Sequence, residues 1–103
     1  MTAVVLISRE VLPENEAEAG QLMRELRIKA MLHPGYLRGE TLSSLRKLGK
    51  NMVMSKWRTV EDWEGWRQSP QRQELVSKLG AFLAAPAAEE VYVDAPTTAS
   101  AGP

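Results

Sequence analysis

The chain has 103 residues, and 13 lysines and arginines balance 13 aspartates and glutamates, so its formal net charge is zero. That length suits one domain, the hydrophobic content of 44% argues against disorder, and the absence of a basic excess argues against a nucleic-acid binder. No cysteine is present, which excludes disulfides, thiolate metal sites and cysteine nucleophiles.

The start of the chain has the pattern of a strand. Residues 1–9 are apolar, carry no basic leader and are too short for the apolar core of a signal peptide. No apolar run approaches the ~20 residues of a membrane-spanning helix. We therefore expect a cytoplasmic protein with no membrane partner.

The first half of the chain predicts strand, helix, strand and strand. Ala3 to Val11 is β-branched and apolar, which is typical of a strand. Apolar residues at three- and four-residue spacing predict a helix over Glu14 to Leu32, and His33-Pro34-Gly35 ends it because proline disfavours helical geometry in the residue before it. Tyr36 to Leu45 and Asn51 to Arg58 predict two strands that form a hairpin.

The second half predicts a broken helix and a last strand. Thr59 is the expected N-cap of a helix, with Asp62 at its third position. Ser69-Pro70 combines a hydroxyl cap with a proline, which predicts a second helix start. Glu89 to Asp94 predicts a short strand, and the proline-containing residues 95–103 predict a C-terminal tail after a domain of residues 1–94.

The predicted order β-α-β-β-α-β is that of the ferredoxin-like α+β fold. Both helices then lie on one face of a four-stranded antiparallel sheet. The other face still carries apolar side chains, for which Val5 and Ile7 are the candidates, and a single chain of this length has nothing left to cover them. A second copy could cover them, so we expect a homodimer.

Two stretches, HPGYLRGETLSS and VMSKWRTVEDWEGWRQSPQRQE, resemble the antibiotic-biosynthesis-monooxygenase domain. The resemblance is clearest from His33 through Glu74. Its most distinctive parts are the turn of residues 33–36, the run from Trp57 to Trp63, and the helix end of residues 66–70. With the first and last strands in matching places, it covers about residues 1–94.

The resemblance implies a dimeric α+β barrel built from two ferredoxin-like units, with a pocket between the helices and the sheet of each subunit. Some members oxidise phenolic polyketide intermediates with molecular oxygen and no metal or flavin, and others degrade haem. It implies that this chain is a cofactor-independent monooxygenase acting on a small aromatic, phenolic or enolisable substrate. The alternative is a non-catalytic dimer that binds a small ligand or another protein.

The haem-degrading branch fits poorly. It uses an asparagine in strand one, a tryptophan after strand three and a histidine ten residues after that tryptophan. In this sequence those positions hold Ser8, Trp66 and Val76. The axial ligand is therefore missing, and we expect no cofactor and no metal.

Three residues are candidate catalytic groups. Trp66 could stack on a planar substrate, although it could equally fill the core beside Trp63. Tyr36 could donate a phenolic hydrogen bond, or pack as a strand aromatic. His33 carries an imidazole, which exchanges protons near neutral pH, but its alternative role is to cap the end of a helix.

The candidate substrate-binding residues are polar groups in the strands: Ser8, Arg38, Asn51 and Arg58. A buried polar side chain needs a partner or a ligand, since an unpaired one is costly. An arginine could hold a substrate carboxylate or stabilise an enolate. The alternative for most of them is a salt bridge at the sheet edge, because alternation does not fix which face lies under the helices.

Overall fold

The structure, a computed structural model that describes residues 1–94, is a four-stranded antiparallel sheet with helices on one face. The strands lie in the order β2-β3-β1-β4, so the first strand is central. The elements in chain order are β1 (Ala3–Glu10), a 3-10 turn (Pro13–Asn15), α1 (Glu16–Met31), β2 (Tyr36–Ser43), β3 (Lys50–Trp57), α2 (Val60–Arg67), α3 (Pro70–Gly80) and β4 (Ala88–Val93).

The predicted ferredoxin-like order is confirmed, including the break in the second helix. The Thr59 hydroxyl accepts a hydrogen bond from the Asp62 amide at 3.0 Å and begins α2. The Ser69 hydroxyl accepts from the Arg72 amide at 3.3 Å and begins α3. Each cap satisfies an amide of the first turn that has no partner within the helix.

Several element ends differ from the predicted ones by up to two residues. β2 ends at Ser43 and not at Leu45, because the Ser44 hydroxyl accepts from the amides of Arg46 and Lys47 and closes a turn. Residues 13–15, of which Glu14 and Asn15 were predicted to be α-helical, form the 3-10 turn. Local side-chain bonds of this kind compete with regular structure at its ends.

The prediction that Val5 and Ile7 lie on the open face of the sheet is wrong. Both are buried under the helices, together with Ala3 and Arg9. Alternation along a strand fixes which side chains share a face, but the face that the helices cover depends on how they dock. The open face carries the opposite parity, including the half-buried Leu6.

Two expectations from the sequence concern other parts of the chain. The predicted tail, residues 95–103, lies outside the described residues. Within residues 1–94, none of the helices combines the length and the apolar character needed to cross a membrane.

Candidate functional site

A cavity lies between α1, α2, the start of α3 and the covered face of the sheet. It has a volume of about 70 Å³ and is partly open to solvent. Its apolar lining comes from β1, α1 and β3: Ile7, Met23, Leu26, Ala30 and Val53.

Four aromatic residues build one wall of the cavity. Trp57 is fully buried at the end of β3 and lies 5.8 Å from Trp63 between ring centroids. Trp66 is 5% exposed and lies one helical turn after Trp63. Tyr36 meets Trp57 edge to face at 5.3 Å. All four line the cavity. The spacing of Trp63 and Trp66 on α2 therefore places both indoles in the core and in this wall.

The structure brings two of the predicted catalytic residues, Trp66 and Tyr36, to the same cavity. The Tyr36 hydroxyl lies over Gly39 in β2, where the absence of a Cβ leaves room for it. That close approach holds the phenol on the covered face of the sheet. Among residues 1–94, this hydroxyl makes no hydrogen bond to another protein group, and it faces the cavity that Tyr36 lines.

His33 lies behind this wall and does not line the cavity. Its imidazole is 5.7 Å from the ring of Trp66 and 6.2 Å from that of Trp57. Its Nδ1 is 3.3 Å from the Pro34 carbonyl oxygen. His33 therefore supports the aromatic wall from the end of α1.

The predicted substrate-binding residues do not converge on the cavity. Ser8 and Arg38 have the parity of the open face, with Met52 and Lys56 as their partners in β3. Arg58 is exposed just after β3. Asn51 has the covered-face parity and lies opposite Arg9, and its Oδ1 is buried without a hydrogen-bond partner among the described residues.

A guanidinium spans the mouth of the cavity. Arg27, an exposed residue of α1, donates from Nη2 to the Gly39 carbonyl oxygen at 3.0 Å. The bond joins α1 to β2, an edge strand of the sheet. Arg27 also lines the cavity, so a ligand that enters here passes a positive charge.

Two arginines that the site prediction omitted lie at the inner end of the cavity. Arg9 is 6% exposed and Arg72 is 8% exposed, and both line the cavity. Arg72 forms an ion pair with Glu89 of β4 at 3.3 Å. A second space, between α3, β4 and the chain that joins them, lies on the other side of the pair.

Burial is the main influence on the pKa values of Arg9 and Arg72. Desolvation, and then repulsion from Arg72, lower the pKa of Arg9 to about 10, while Glu89 acts in the opposite direction. Desolvation also lowers the pKa of Arg72, against the raising effect of Glu89. Arg9 therefore remains charged at neutral pH, at a cost in free energy that water or an anion would offset.

A signal for both arginines was present in the sequence. Arg9 continues the alternation of Ala3, Val5 and Ile7 on a strand. Arg72 falls at the three- and four-residue spacing of Leu75 and Leu79, the buried stripe of α3. A charged residue in phase with a buried stripe is a candidate for a functional site, because burying it needs compensation.

The site offers no metal centre within residues 1–94. No group of three or more histidine, cysteine, aspartate or glutamate side chains is close enough to hold a metal ion there. The polar groups of the cavity include three guanidinium groups and the Tyr36 hydroxyl, against one carboxylate, that of Glu40. Such a site suits an acceptor-rich or anionic ligand.

The family profile described as antibiotic biosynthesis monooxygenase matches residues 2–78. Among curated proteins, none matches the chain. A conserved protein from Methanosarcina mazei Go1 is a structural neighbour with a TM-score of 0.84 at 16% identity, and the alignment covers 89% of this chain and 91% of that one.

Two further solved structures share the fold. Rv0793 from Mycobacterium tuberculosis has a TM-score of 0.84 at 16% identity, with 93% of this chain and 97% of that chain covered. SnoaB, a cofactor-independent oxygenase from Streptomyces nogalater, has a TM-score of 0.79 at 14% identity, with coverage of 94% and 97%. At these identities, the structural similarity establishes the fold alone.

Proposed function

The chain belongs to the antibiotic biosynthesis monooxygenase family, and from that premise we propose that it oxidises a small phenolic or enolisable aromatic molecule with molecular oxygen and no bound cofactor. The observation that carries the proposal is the convergence of Trp66 and Tyr36 on one largely apolar cavity. The oxygenase SnoaB, which has the same fold, is described as cofactor-independent.

The proposed reaction converts a phenol into a quinone. For 1-naphthol, one atom of O₂ forms the new carbonyl at the ring carbon opposite the hydroxyl. The other atom leaves as water with the hydrogen of that carbon and the hydroxyl hydrogen. The substrate supplies all the electrons, so the protein needs only to bind the ring, favour its anion and keep water out.

The residues of the cavity suit these tasks. Trp66 offers an indole surface on which a flat ring can stack, and its 5% exposure keeps that surface away from bulk water. The Tyr36 hydroxyl can donate a hydrogen bond to a substrate oxygen on which negative charge develops. Each hydrogen bond of this kind contributes to orientation as well as to stabilisation of the anion.

We also propose that two copies associate through the open faces of their sheets. The central part of this face carries half-buried apolar side chains: Val4, Leu6, Met52 and Met54. Burial of this surface against an identical one would remove it from water and close each sheet face. Analytical ultracentrifugation tests this point, and a monomer at micromolar concentration contradicts it.

Oxygen consumption tests the enzymatic proposal. The purified protein is incubated with 1-naphthol, with anthrone and with their methyl-blocked analogues, and O₂ uptake and quinone formation are followed together. We expect uptake with at least one unblocked phenol and a clear decrease in Trp66→Phe and Tyr36→Phe. Uptake equal to the background for every compound counts against the proposal, and uptake unchanged in both variants counts against this site.

A haemin titration separates the proposal from the haem-degrading branch. A saturable shift of the Soret band at one haem per subunit would favour that branch, and His33→Ala would identify the ligand. We expect no such shift, because Val76 occupies the position that the resemblance gives to the axial histidine.

A non-catalytic ligand-binding dimer is the second candidate function. One observation favours it: the buried ionisable groups that line the cavity are arginines, Arg9 and Arg72. A guanidinium is a poor general base because it holds its proton at neutral pH. Ligand binding without oxygen uptake would support this candidate.

A further inference from the structure

We propose that the inner end of the cavity is a carboxylate-binding site formed by Arg9 and Arg72, so that the ligand is an aromatic acid. This inference deepens the proposed function and rests on its placement of the ligand in the same cavity. The ring would lie against the indole of Trp66, and the carboxylate would face the two guanidinium groups.

The first argument is an imbalance of charge. Arg9 and Arg72 are both nearly completely buried, and Glu89 is paired with Arg72 alone. Among residues 1–94, no ion pair or side-chain hydrogen bond includes the Arg9 guanidinium. Two buried cations therefore share one carboxylate, and an uncompensated buried cation is costly unless an anion joins it.

The second argument is a buried donor without an acceptor, beside one buried acceptor, the Oδ1 of Asn51, that also lacks a partner among residues 1–94. The indole Nε1 of Trp63 is buried and has no hydrogen-bond partner among the described residues. Trp63 lines the same cavity as the two arginines, and Arg72 lies over its ring. A carboxylate offers two oxygens and several lone pairs to such a set of donors.

The third argument is the route of entry. Arg27 lies at the mouth, and its guanidinium is bonded to a backbone carbonyl oxygen and not to a carboxylate. An anion in the cavity would thus lie near three guanidinium groups, those of Arg9, Arg27 and Arg72, and one carboxylate, that of Glu40. A series of like charges in a cleft raises the local concentration of the oppositely charged ligand.

A matched pair of single-ring probes tests the inference. The probes are 2,5-dihydroxybenzoate and its methyl ester, which share a ring and two hydroxyls and differ in charge. Binding is measured by isothermal titration calorimetry under nitrogen at neutral pH, so that no turnover is required. We expect the acid to bind roughly tenfold to a hundredfold more tightly than the ester, as a charged hydrogen-bonded pair predicts.

The variants Arg9→Met and Arg72→Met should each abolish most of this preference for the acid. Arg24→Met is the matched control, because that arginine is exposed on α1 and does not line the cavity; it should preserve the preference. Circular dichroism establishes that each variant is folded. The acid-to-ester comparison in the unaltered protein needs no variant and stands if one of them fails to fold.

Equal affinities for acid and ester overturn the inference, and so does the absence of detectable binding of the acid at millimolar concentration. A preference for the acid that survives in both arginine variants also overturns it. The oxygenase proposal can fail separately. If the acid binds tightly and this binding depends on the arginines, but no phenol gives oxygen uptake, the carboxylate site is supported and the oxygenase proposal is contradicted.

Discussion

The guanidinium of Arg72 lies over the indole of Trp63, with its Cζ atom 5.1 Å from the ring centroid. A cation over an indole contributes ~0.5–2 kcal/mol, with the larger value in a desolvated site. Trp63 is 1% exposed, so this contact belongs to the desolvated kind. It joins α2 to α3 at the inner end of the cavity, and it helps to explain how the fold accommodates a buried arginine.

Replacement of the unpaired arginine should not destabilise the protein. In Arg9→Met an apolar side chain of similar length replaces a desolvated cation, so we expect the free energy of unfolding to stay equal or to rise by ~1 kcal/mol or more. Urea denaturation measures the change, with Arg24→Met, an exposed arginine of α1, as the control expected to stay within ~0.5 kcal/mol. A loss above ~1 kcal/mol would show that Arg9 has a stabilising partner in the folded protein.

Binding of the acid probe should depend on pH only at high pH. The pKa of Arg9 is lowered to about 10, so the group is charged in the folded protein throughout the neutral range and loses its charge as the pH rises through about 10. We expect the affinity for 2,5-dihydroxybenzoate, measured by calorimetry, to be nearly constant from ~pH 7 to ~pH 9 and to fall above that. A loss of affinity between ~pH 6 and ~pH 7.5 would instead implicate a histidine.

The same lowered pKa fixes the sign of the effect of Arg9 on stability. Its folded-state pKa lies below its ordinary value, so the folded state binds the proton less tightly than the unfolded state. The resulting destabilisation is fully present below about pH 10 and is relieved as the pH rises from there toward the ordinary arginine value. This contribution should be absent from Arg9→Met.

A methyl group at position 39 should disturb Tyr36. A Cβ added to Gly39 would meet the Tyr36 hydroxyl and would lie 3.0 Å from the Met54 carbonyl oxygen. We expect Gly39→Ala to lower the free energy of unfolding by ~1–3 kcal/mol, since overpacking has costs of this size. Gly80→Ala is the control, because nothing lies within 4 Å of its added Cβ.

The two glycine variants are compared by chemical denaturation and by oxygen uptake. Gly80→Ala should be neutral or stabilising by ~0.5 kcal/mol, through a reduced entropy of the unfolded chain. If Gly39→Ala is as stable as the unaltered protein and oxidises phenols at the same rate, the close approach of Tyr36 to β2 has no role in the site.

Loss of the N-cap of α2 should lower the stability of the folded protein. Thr59→Ala removes the oxygen that accepts from the Asp62 amide, and the expected cost is ~1 kcal/mol. Thr59→Ser retains the hydroxyl and should recover most of that loss. Thermal denaturation of the three proteins measures the difference, and an unchanged midpoint for Thr59→Ala would mean that water replaces the cap without cost.

Local patterns in the sequence were sufficient to predict the helices and strands and their order along the chain. The caps at Thr59 and Ser69 and the turn at Pro34 act through contacts within a few residues, so each can be read without knowledge of the fold. The family motifs from His33 to Glu74 likewise pointed to the fold that the structure has. Trp66 and Tyr36 could be named as candidates because aromatic residues at these positions belong to those motifs.

Only the tertiary structure decided which faces of the elements meet. The two-residue period of a strand places Val5, Ile7 and Arg9 on the same face of the sheet. It does not determine whether helices or solvent cover that face. The meeting of Arg9, Arg72 and Glu89 depends on the register of β1 with β4 and on the docking of α3. These contacts join residues far apart in the sequence, and long-range packing, with the desolvation that accompanies it, determines them.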